Sequence, residues 1–505
     1  MAVTLLCSMM ALVSPRPARS NCENIPPGKS FWVRLLDPVA SYSSKPGTFV
    51  RAILIQSPDC DGAPVFPAGL EVDGRVLSAR KVGLGFVHDT ASLEIQFDRI
   101  ITADGNVLPF SAQVAEVDNA REKVRNGKIR GILATDTPQG RITSRLGHLP
   151  TYDPYSDMVL IVYRLFTILP EPEIYFPPGT DLRLQLNVSL FVGDQPELPR
   201  PSFEMDEYER GDVEALLNNV SSRTTTRKGK DADVVNMLFV GSREQVDSAF
   251  RAADWQNSDH TSTRSFFREF GAFLTLSNYP TAPVSTQFLD GRRQDVTWQK
   301  SFNSYGKRDH VRLWEEQADT VNGQEAWLSA YTRETSAALS IANRKFIHHI
   351  DPDLDDGVNM LVRDLTLAGC VKSVRLLSRP ELRKTVTNAT GDEMHTDGAL
   401  TVVELNDCDY LPANYAHAAP LIPARPRSRF VRYLRTQVLV YKSDVVRGNI
   451  IYGGFDLARM SIHAFRYRHR HGQIDDSDDG MPLSPVSPDT LFPQITFGGG
   501  SGQAM

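Results

Sequence analysis

Positive charge in excess is the first thing this chain lacks. Its 55 Lys and Arg are outnumbered by 61 Asp and Glu, leaving a formal net charge of -6. A general nucleic-acid binder is thereby excluded, because such binding rests on clustered cations. Long hydrophobic runs are also missing from the body of the chain. Met158 to Leu169 is apolar, but Arg164 interrupts it, and it is far shorter than the ~20 residues of a spanning helix. It reads as a core element. Gly83-Leu84-Gly85 lacks the third glycine of a dinucleotide site, and no Walker phosphate loop is present. Ser285 lacks the Gly-x-Ser-x-Gly elbow of a hydrolase nucleophile and reads as a turn or cap residue.

Cysteine is scarce, with five in 505 residues. Ala2 to Val13 is almost wholly apolar, and Ala18-Arg19-Ser20 offers small residues at the two positions a signal peptidase reads. Residues 1–20 therefore read as a signal peptide cleaved after Ser20, although no Lys or Arg precedes the apolar run. That reading makes the protein a bacterial export product, periplasmic or attached to the cell envelope, with no transmembrane span in the mature chain. Cleavage leaves Cys22, Cys60, Cys370 and Cys408, which allow three pairings. The local ones, Cys22 with Cys60 and Cys370 with Cys408, each close a loop of about 40 residues, worth roughly 3–4 kcal/mol by chain entropy. Four buried free thiols are the alternative.

The length predicts two or three domains, and 41% apolar with 23% charged residues is ordinary for a soluble protein. Residues 21–200 read as a β-rich barrel or sandwich-like domain. Its strands are expected near Phe31–Leu36, Thr48–Gln56, Leu70–Val76, Ala91–Phe97 and Asn106–Val117. Three Pro-Gly turns launch strands: Ile25-Pro26-Pro27-Gly28, Phe66-Pro67-Ala68-Gly69 and Phe176-Pro177-Pro178-Gly179. With Ser44-Lys45-Pro46-Gly47, Phe97-Asp98-Arg99-Ile100 and Asp104-Gly105, these turns resemble the β-barrel domain of TrbI-type conjugation and secretion-channel proteins. The resemblance implies a periplasmic β-barrel, with an envelope or secretion-machinery protein as partner.

Residues 201–232 are polar and read as a linker. From 233 to 415 the pattern predicts a strand over Val234–Val240, a helix over Arg243–Ala253 capped by Ser242, then an irregular stretch to about 307. Strands follow at His310–Trp314, Glu325–Tyr331 and Phe346–Ile350. A helix over Val358–Leu367 capped by Asp355 or Asp356 comes next, then strands at Val371–Leu377 and Ala399–Leu405. That order predicts a ferredoxin-like βαββαβ core with insertions, and the whole chain an α+β multidomain protein. Residues 416–471 read as an extension packing on the core and 472–505 as a disordered tail.

The second domain also carries ordered phrases: Asn236-Met237-Leu238-Phe239-Val240-Gly241, Ala253-Asp254-Trp255, Tyr279-Pro280-Thr281-Ala282-Pro283-Val284-Ser285, Gly291-Arg292-Arg293-Gln294-Asp295, and Arg308 to Trp314. Together with His348 to Asp355 they resemble the LssY C-terminal domain family over residues about 233–375. That bacterial family often accompanies membrane-embedded lipid-phosphatase or DedA-like domains. The resemblance transfers no catalytic residue, and this chain has no lipid-phosphatase signature.

Chemistry concentrates at Lys345 to Gly357, where His348, His349, Asp351, Asp353, Asp355 and Asp356 lie together. Alternation places His349 and Asp351 on one strand face, and His310, Arg312 and Trp314 on one face of an earlier strand. If those faces meet, His310, Arg312, His349 and Asp351 form a catalytic set. His310, His348, His349, Asp351 and Asp353 would then suit a divalent metal ion. Acid–base work is open as well, with Asp351 orienting an imidazole and Arg312 holding an anion. The competing reading is structural: the acids are helix caps and first-turn residues. A calcium loop fits poorly, since the glycine falls at 357 and no Glu follows at the twelfth position. Trp314 and Trp327 read as core. Two functions follow: a non-enzymatic envelope binding or assembly protein, or a metal-dependent hydrolase of a phosphate or ester.

Overall fold

The computed structural model describes residues 23–60, 63–146, 166–192, 204–260, 262–340, 345–408 and 428–447, with 158, 162, 163 and 462 as isolated positions. The expected signal peptide, Cys22 and the expected tail lie outside them.

Six strands close the N-terminal barrel: β1 (Ser30–Leu35), β2 (Phe49–Gln56), β3 (Glu71–Arg80), β4 (Ser92–Ile101), β5 (Val107–Val117) and β6 (Asp181–Leu186). Neighbours pair antiparallel from β4 through β3, β2, β1 and β6 to β5, and β4 pairs β5 to complete the ring. Alternation fills it: Val33, Leu54, Val72, Leu93, Val114 and Leu184 are all buried in one core. Gly28, Gly47, Gly69 and Gly179 have φ between +86° and +93°, the backbone that each Pro-Gly or Ala-Gly turn requires. The stretch read as a core element is more exposed than expected: Met158, Val162 and Phe166 are helical and exposed, while Leu169 is buried.

A short helix, α1 (Pro138–Leu146), lies between β5 and β6, and α2 (Glu207–Leu217) falls inside the expected linker. Asp206 caps α2 by accepting from the Glu209 amide, and Val213 and Leu216 bury in the second core. Two strands, β7 (Arg223–Thr226) and β8 (Asp231–Val234), complete that segment. Polarity alone hides an amphipathic helix whose buried apolar residues are Val213 and Leu216.

The second sheet is built from β9 (Met237–Val240), β11 (Val296–Ser301), β12 (Arg308–Val321), β13 (Gln324–Ser340), β14 (Lys345–Ile350), β15 (Val371–Ser378) and β16 (Ala399–Leu405), with a short strand β10 (Gln287–Leu289) in a small sheet beside it. Its helices are α3 (Arg243–Ala252), α4 (Thr263–Thr275) and α5 (Leu354–Leu367). Ser242 and Gln245 form a capping box on α3, as its sequence predicts. The stretch read as irregular holds α4, β10 and β11. The expected ferredoxin-like βαββαβ core is not confirmed, since α4, β10 and β11 are added to the expected elements and the strand order differs. In that fold the last strand is an edge strand antiparallel to the first, whereas here β16 lies between β9 and β15 and runs parallel to β9, with Leu238 opposite Val402. The architecture is mainly β with few helices. Trp314 and Trp327 are fully buried, on opposite faces of the sheet.

The helix after the acidic phrase is capped by Asp353, whose side chain accepts from the Asp356 amide at 3.1 Å, not by Asp355 or Asp356. Its glycine serves packing. A Cβ on Gly357 would stand 2.2 Å from Cε1 of Tyr331, so α5 approaches β13 only because that position is bare. Gly357→Ala is expected to cost roughly 1–3 kcal/mol by overpacking, measured by urea denaturation. An unchanged midpoint would contradict the close approach.

Cys370 and Cys408 form the expected disulfide. Cys60 is also disulfide-bonded, with its partner outside the described residues. The Cys370→Ser/Cys408→Ser pair of substitutions should cost roughly 2–4 kcal/mol, read as a lower unfolding midpoint under non-reducing conditions.

The last described helix, α6 (Arg429–Arg447), packs on the barrel: Leu439 and Val440 join its core. Arg435 donates to the Gly83 carbonyl at 2.6 Å, and Lys442 to that of Gly85 at 2.9 Å. Barrel and second sheet are clasped through α5. Trp32 packs with Ile53, Ile55, Met360 and Leu367, and Arg363 lies over its ring at 5.3 Å. Arg34 donates to Asp181 at 2.7 and 2.9 Å and to Asp364 at 3.3 Å, and Lys300 reaches Asp364 at 2.6 Å. Arg333 pairs with Asp118, and Asn119 donates to Asp309 at 2.6 Å.

Candidate functional site

Strand alternation puts Arg308, His310, Arg312 and Trp314 on one face of β12, and all four are buried. Sheet register then sets their partners. Arg308 lies opposite Glu334 of β13, and its Nε donates to Glu334 Oε2 at 2.8 Å. His310 Nε2 lies 2.7 Å from Glu334 Oε1. From β14, Nδ1 of His348 lies 2.7 Å from Glu334 Oε2. A single carboxylate therefore faces one guanidinium and two imidazoles.

A second carboxylate closes the outer side. Glu269 of α4 lies 3.9 Å from His348 Nε2 and accepts from the Tyr305 hydroxyl at 3.4 Å. The Tyr305 and His348 rings are 5.8 Å apart. The His348 side chain is 14% exposed while that of His310 is 1% exposed, so His348 is the outward member of the pair.

Burial raises the cost of the Glu334 charge, but Arg308 and then the imidazoles of His310 and His348 outweigh it and hold the carboxyl well below its ordinary value. Burial pushes His310 down, against the pull of Glu334. Glu269 is pushed up by burial, opposed by Arg308 and His348. One carboxylate held low, one pushed up and two imidazoles are thus gathered about Arg308. Nδ1 of His310 meets no hydrogen-bond partner among the described residues.

Arg312 belongs to a neighbouring pair. Its Nη1 donates to Asp233 at 2.7 Å, and Gln287 donates to the same oxygen at 2.7 Å. Its Nη2 donates to Ser285 Oγ at 3.0 Å. Ser285 thus anchors an arginine.

The expected convergence of His310 with His349 and Asp351 does not occur. His349 points away on β14, is 50% exposed, and lies with Nδ1 2.7 Å from Asp392. Alternation was the right rule. It is His348, its neighbour, that shares the face of His310. Asp351 accepts from the Asp353 amide at 3.1 Å, and Asp353 is the cap of α5. Asp355 accepts from Thr396 at 3.0 Å and from the Asp397 amide at 2.6 Å. The acidic run is spent on caps and turns, and the expected five-residue metal set does not assemble. Among the described residues no group of three or more His, Cys, Asp or Glu is placed to hold a metal ion.

Glu334, Arg308, Glu269 and Tyr305 were not foreseen. The strand expected to end at Tyr331 continues to Ser340, and Glu334 lies in that continuation. An unbroken alternation through Thr332 and Glu334 was the available signal.

Beside the network, an open cleft of about 330 Å³ is lined by Asp259, His260, Ser262, Arg264, Arg268 and Tyr279. Arg268 sits 4.3 Å over the Tyr279 ring, and Tyr279 donates to Asp259 at 2.7 Å. Burial and the Asp259 carboxylate push the Tyr279 phenol up to about 12.

Comparison with known proteins gives three results. No curated protein matches the chain. Among solved structures, ComB10 of the Com type IV secretion system of Helicobacter pylori is similar at 14% identity, covering 34% of this chain and 90% of that one, with a TM-score of 0.19. The family model described as LssY C-terminus matches residues 217–400, the segment that carries β9 to β15 and the Glu334 network. Over residues 217–400 this chain is therefore similar to the LssY C-terminal family.

Proposed function

We propose that the protein is an exported bacterial envelope protein whose barrel and LssY-type modules act together as a binding or assembly unit. The observation that carries this reading is cysteine chemistry: all three described cysteines, Cys60, Cys370 and Cys408, are disulfide-bonded. Such bonds persist in oxidising compartments. The apolar run Ala2 to Val13 followed by Ala18-Arg19-Ser20 supports the same reading. A binding role is supported by the ion pairs that join the modules, which favour one fixed presentation of both surfaces.

The test combines fractionation with thiol labelling. The expected product begins after Ser20, fractionates with the envelope or periplasm, and takes up no alkylating reagent until reduced. An uncleaved chain in the cytosol with reactive thiols would sink the proposal.

Hydrolysis of a phosphate or ester is the second reading. It is favoured by the two imidazoles that meet on Glu334. Under its metal-dependent form, purified protein carries about one equivalent of divalent ion and loses it in His310→Ala. A metal-free protein whose stability ignores a chelator would leave binding in front.

A further inference from the structure

The open cleft at α4 is used by neither reading above. Its volume of about 330 Å³ falls within the roughly 300–1,000 Å³ of small-molecule sites. Its lining is polar and mostly basic: Arg264, Arg268 and His260 stand around it with Asp259, Ser262 and Tyr279. Asp259 is the one acid in that lining. Glu269, next in the chain to Arg268, turns away to His348 and Tyr305, and the first turn of α4 carries no acidic residue. Basic groups gathered in one hollow stand out on a chain of net charge -6.

Asp259 does not cancel that charge. Its Oδ2 accepts from Arg268 at 3.3 Å, from Tyr279 at 2.7 Å and from Thr281 at 3.0 Å. One guanidinium and two hydroxyls therefore hold one carboxylate oxygen. The same guanidinium lies 4.3 Å over the Tyr279 ring, so Arg268 is fixed in place with further donors unspent. Arg264 and His260 are exposed, and their side chains enter no ion pair, hydrogen bond or ring contact among the described residues. Their donors are left to water or to a ligand.

The donor set selects the ligand. Guanidinium groups recognise carboxylates and phosphates through paired N–H donors. A carboxylate offers two oxygens in one plane. A phosphate ester offers three strong acceptor oxygens in a tetrahedral array, which suits three separate basic groups. We infer that this cleft binds a phosphate monoester, with Arg264, His260 and the remaining donors of Arg268 meeting its oxygens. The inference goes beyond the binding role proposed above: it depends neither on the compartment nor on the Glu334 imidazoles, and it assigns no bond-breaking step.

A soluble ester and a lipid headgroup present the same phosphate, and the experiment separates them. The full chain is titrated by calorimetry with glycerol phosphate and with inorganic phosphate at constant ionic strength. Saturable binding is expected for both. Arg264→Gln should weaken it roughly tenfold through loss of a charge-assisted contact, and Arg264→Gln with His260→Gln should weaken it further. Both side chains are exposed and unpaired, so the unliganded variants should keep the wild-type thermal transition. The second arm uses phosphatidylcholine vesicles containing phosphatidic acid. Co-sedimentation that glycerol phosphate displaces would assign the cleft to a headgroup. Calorimetric binding without co-sedimentation would assign it to a soluble ester. No saturable binding of either phosphate up to about 10 mM, or equal affinity in the double variant, would overturn the inference.

Discussion

Glu334→Ala is expected to lose roughly 3–5 kcal/mol of folding free energy, because it strands a buried guanidinium beside two imidazoles. Arg308 and His310 are both almost inaccessible, so neither can recover water in the folded state. Glu334→Gln keeps the volume and should lose much of the same energy. The acid dependence gives a sharper signature. The folded carboxyl titrates well below its ordinary value, so its stabilisation is complete above the ordinary carboxylate range and disappears as pH falls through the folded value. The gap between wild type and Glu334→Gln should therefore be full at neutral pH and close on strong acidification. His310, depressed by burial, adds a loss of the same sign. Its unfolded form takes up a proton below about pH 6.5 that the buried ring refuses. Urea midpoints from pH 7 to pH 3 would measure both. A pH-independent gap would show that Glu334 does not carry the charge assigned to it.

Arg34→Met is the second large expectation, again roughly 3–5 kcal/mol. Arg34 joins Asp181 of the barrel to Asp364 of α5, and its removal leaves Asp364 with Lys300 and Asp181 without its guanidinium. Burial pushes Asp181 up, but Arg34 outweighs it and holds the carboxyl at about 2. In the wild type that pair stabilises above the ordinary carboxylate value and fails as pH falls toward 2; in the variant this acid-dependent contribution should vanish. A double change, Arg34→Met with Asp181→Leu, should recover most of the loss, since buried pairs are commonly replaceable by apolar residues of similar size. Fluorescence of Trp32, which sits in the same interface, follows the transition. A single variant that loses under about 1 kcal/mol would mean the pair barely exceeds its desolvation cost.

Much of the barrel was legible because its strands alternate and its turns are chemically explicit. Gly28, Gly69 and Gly179 demanded positive φ, and each strand after them begins where the turn releases the chain. The second sheet was legible element by element but not in its order. Nothing local in Ala399–Leu405 says that it pairs parallel to Met237–Val240, since pairing over some 160 residues is a property of the packed core. The site was half legible. His310, Arg312 and the alternation rule were available, but a strand read nine residues too short, ending at Tyr331 rather than Ser340, loses the contacts of its far end. Glu334 lay beyond the expected end of β13. The choice between His348 and His349 turned on a register shift between Glu334 and Ser336, which alternation within one strand does not reveal. The acidic phrase drew attention by density alone, and density is what a cap with its first turn also produces.

The placement of α6 has a consequence for biosynthesis. The first-made module receives Leu439 and Val440 from a segment translated about 250 residues after its last strand. A nascent chain halted after Cys408 would emerge with its earliest compartment still unsealed and its apolar lining open to solvent. Completion of the barrel waits for a helix far along the chain, so assistance during synthesis should matter most for the barrel.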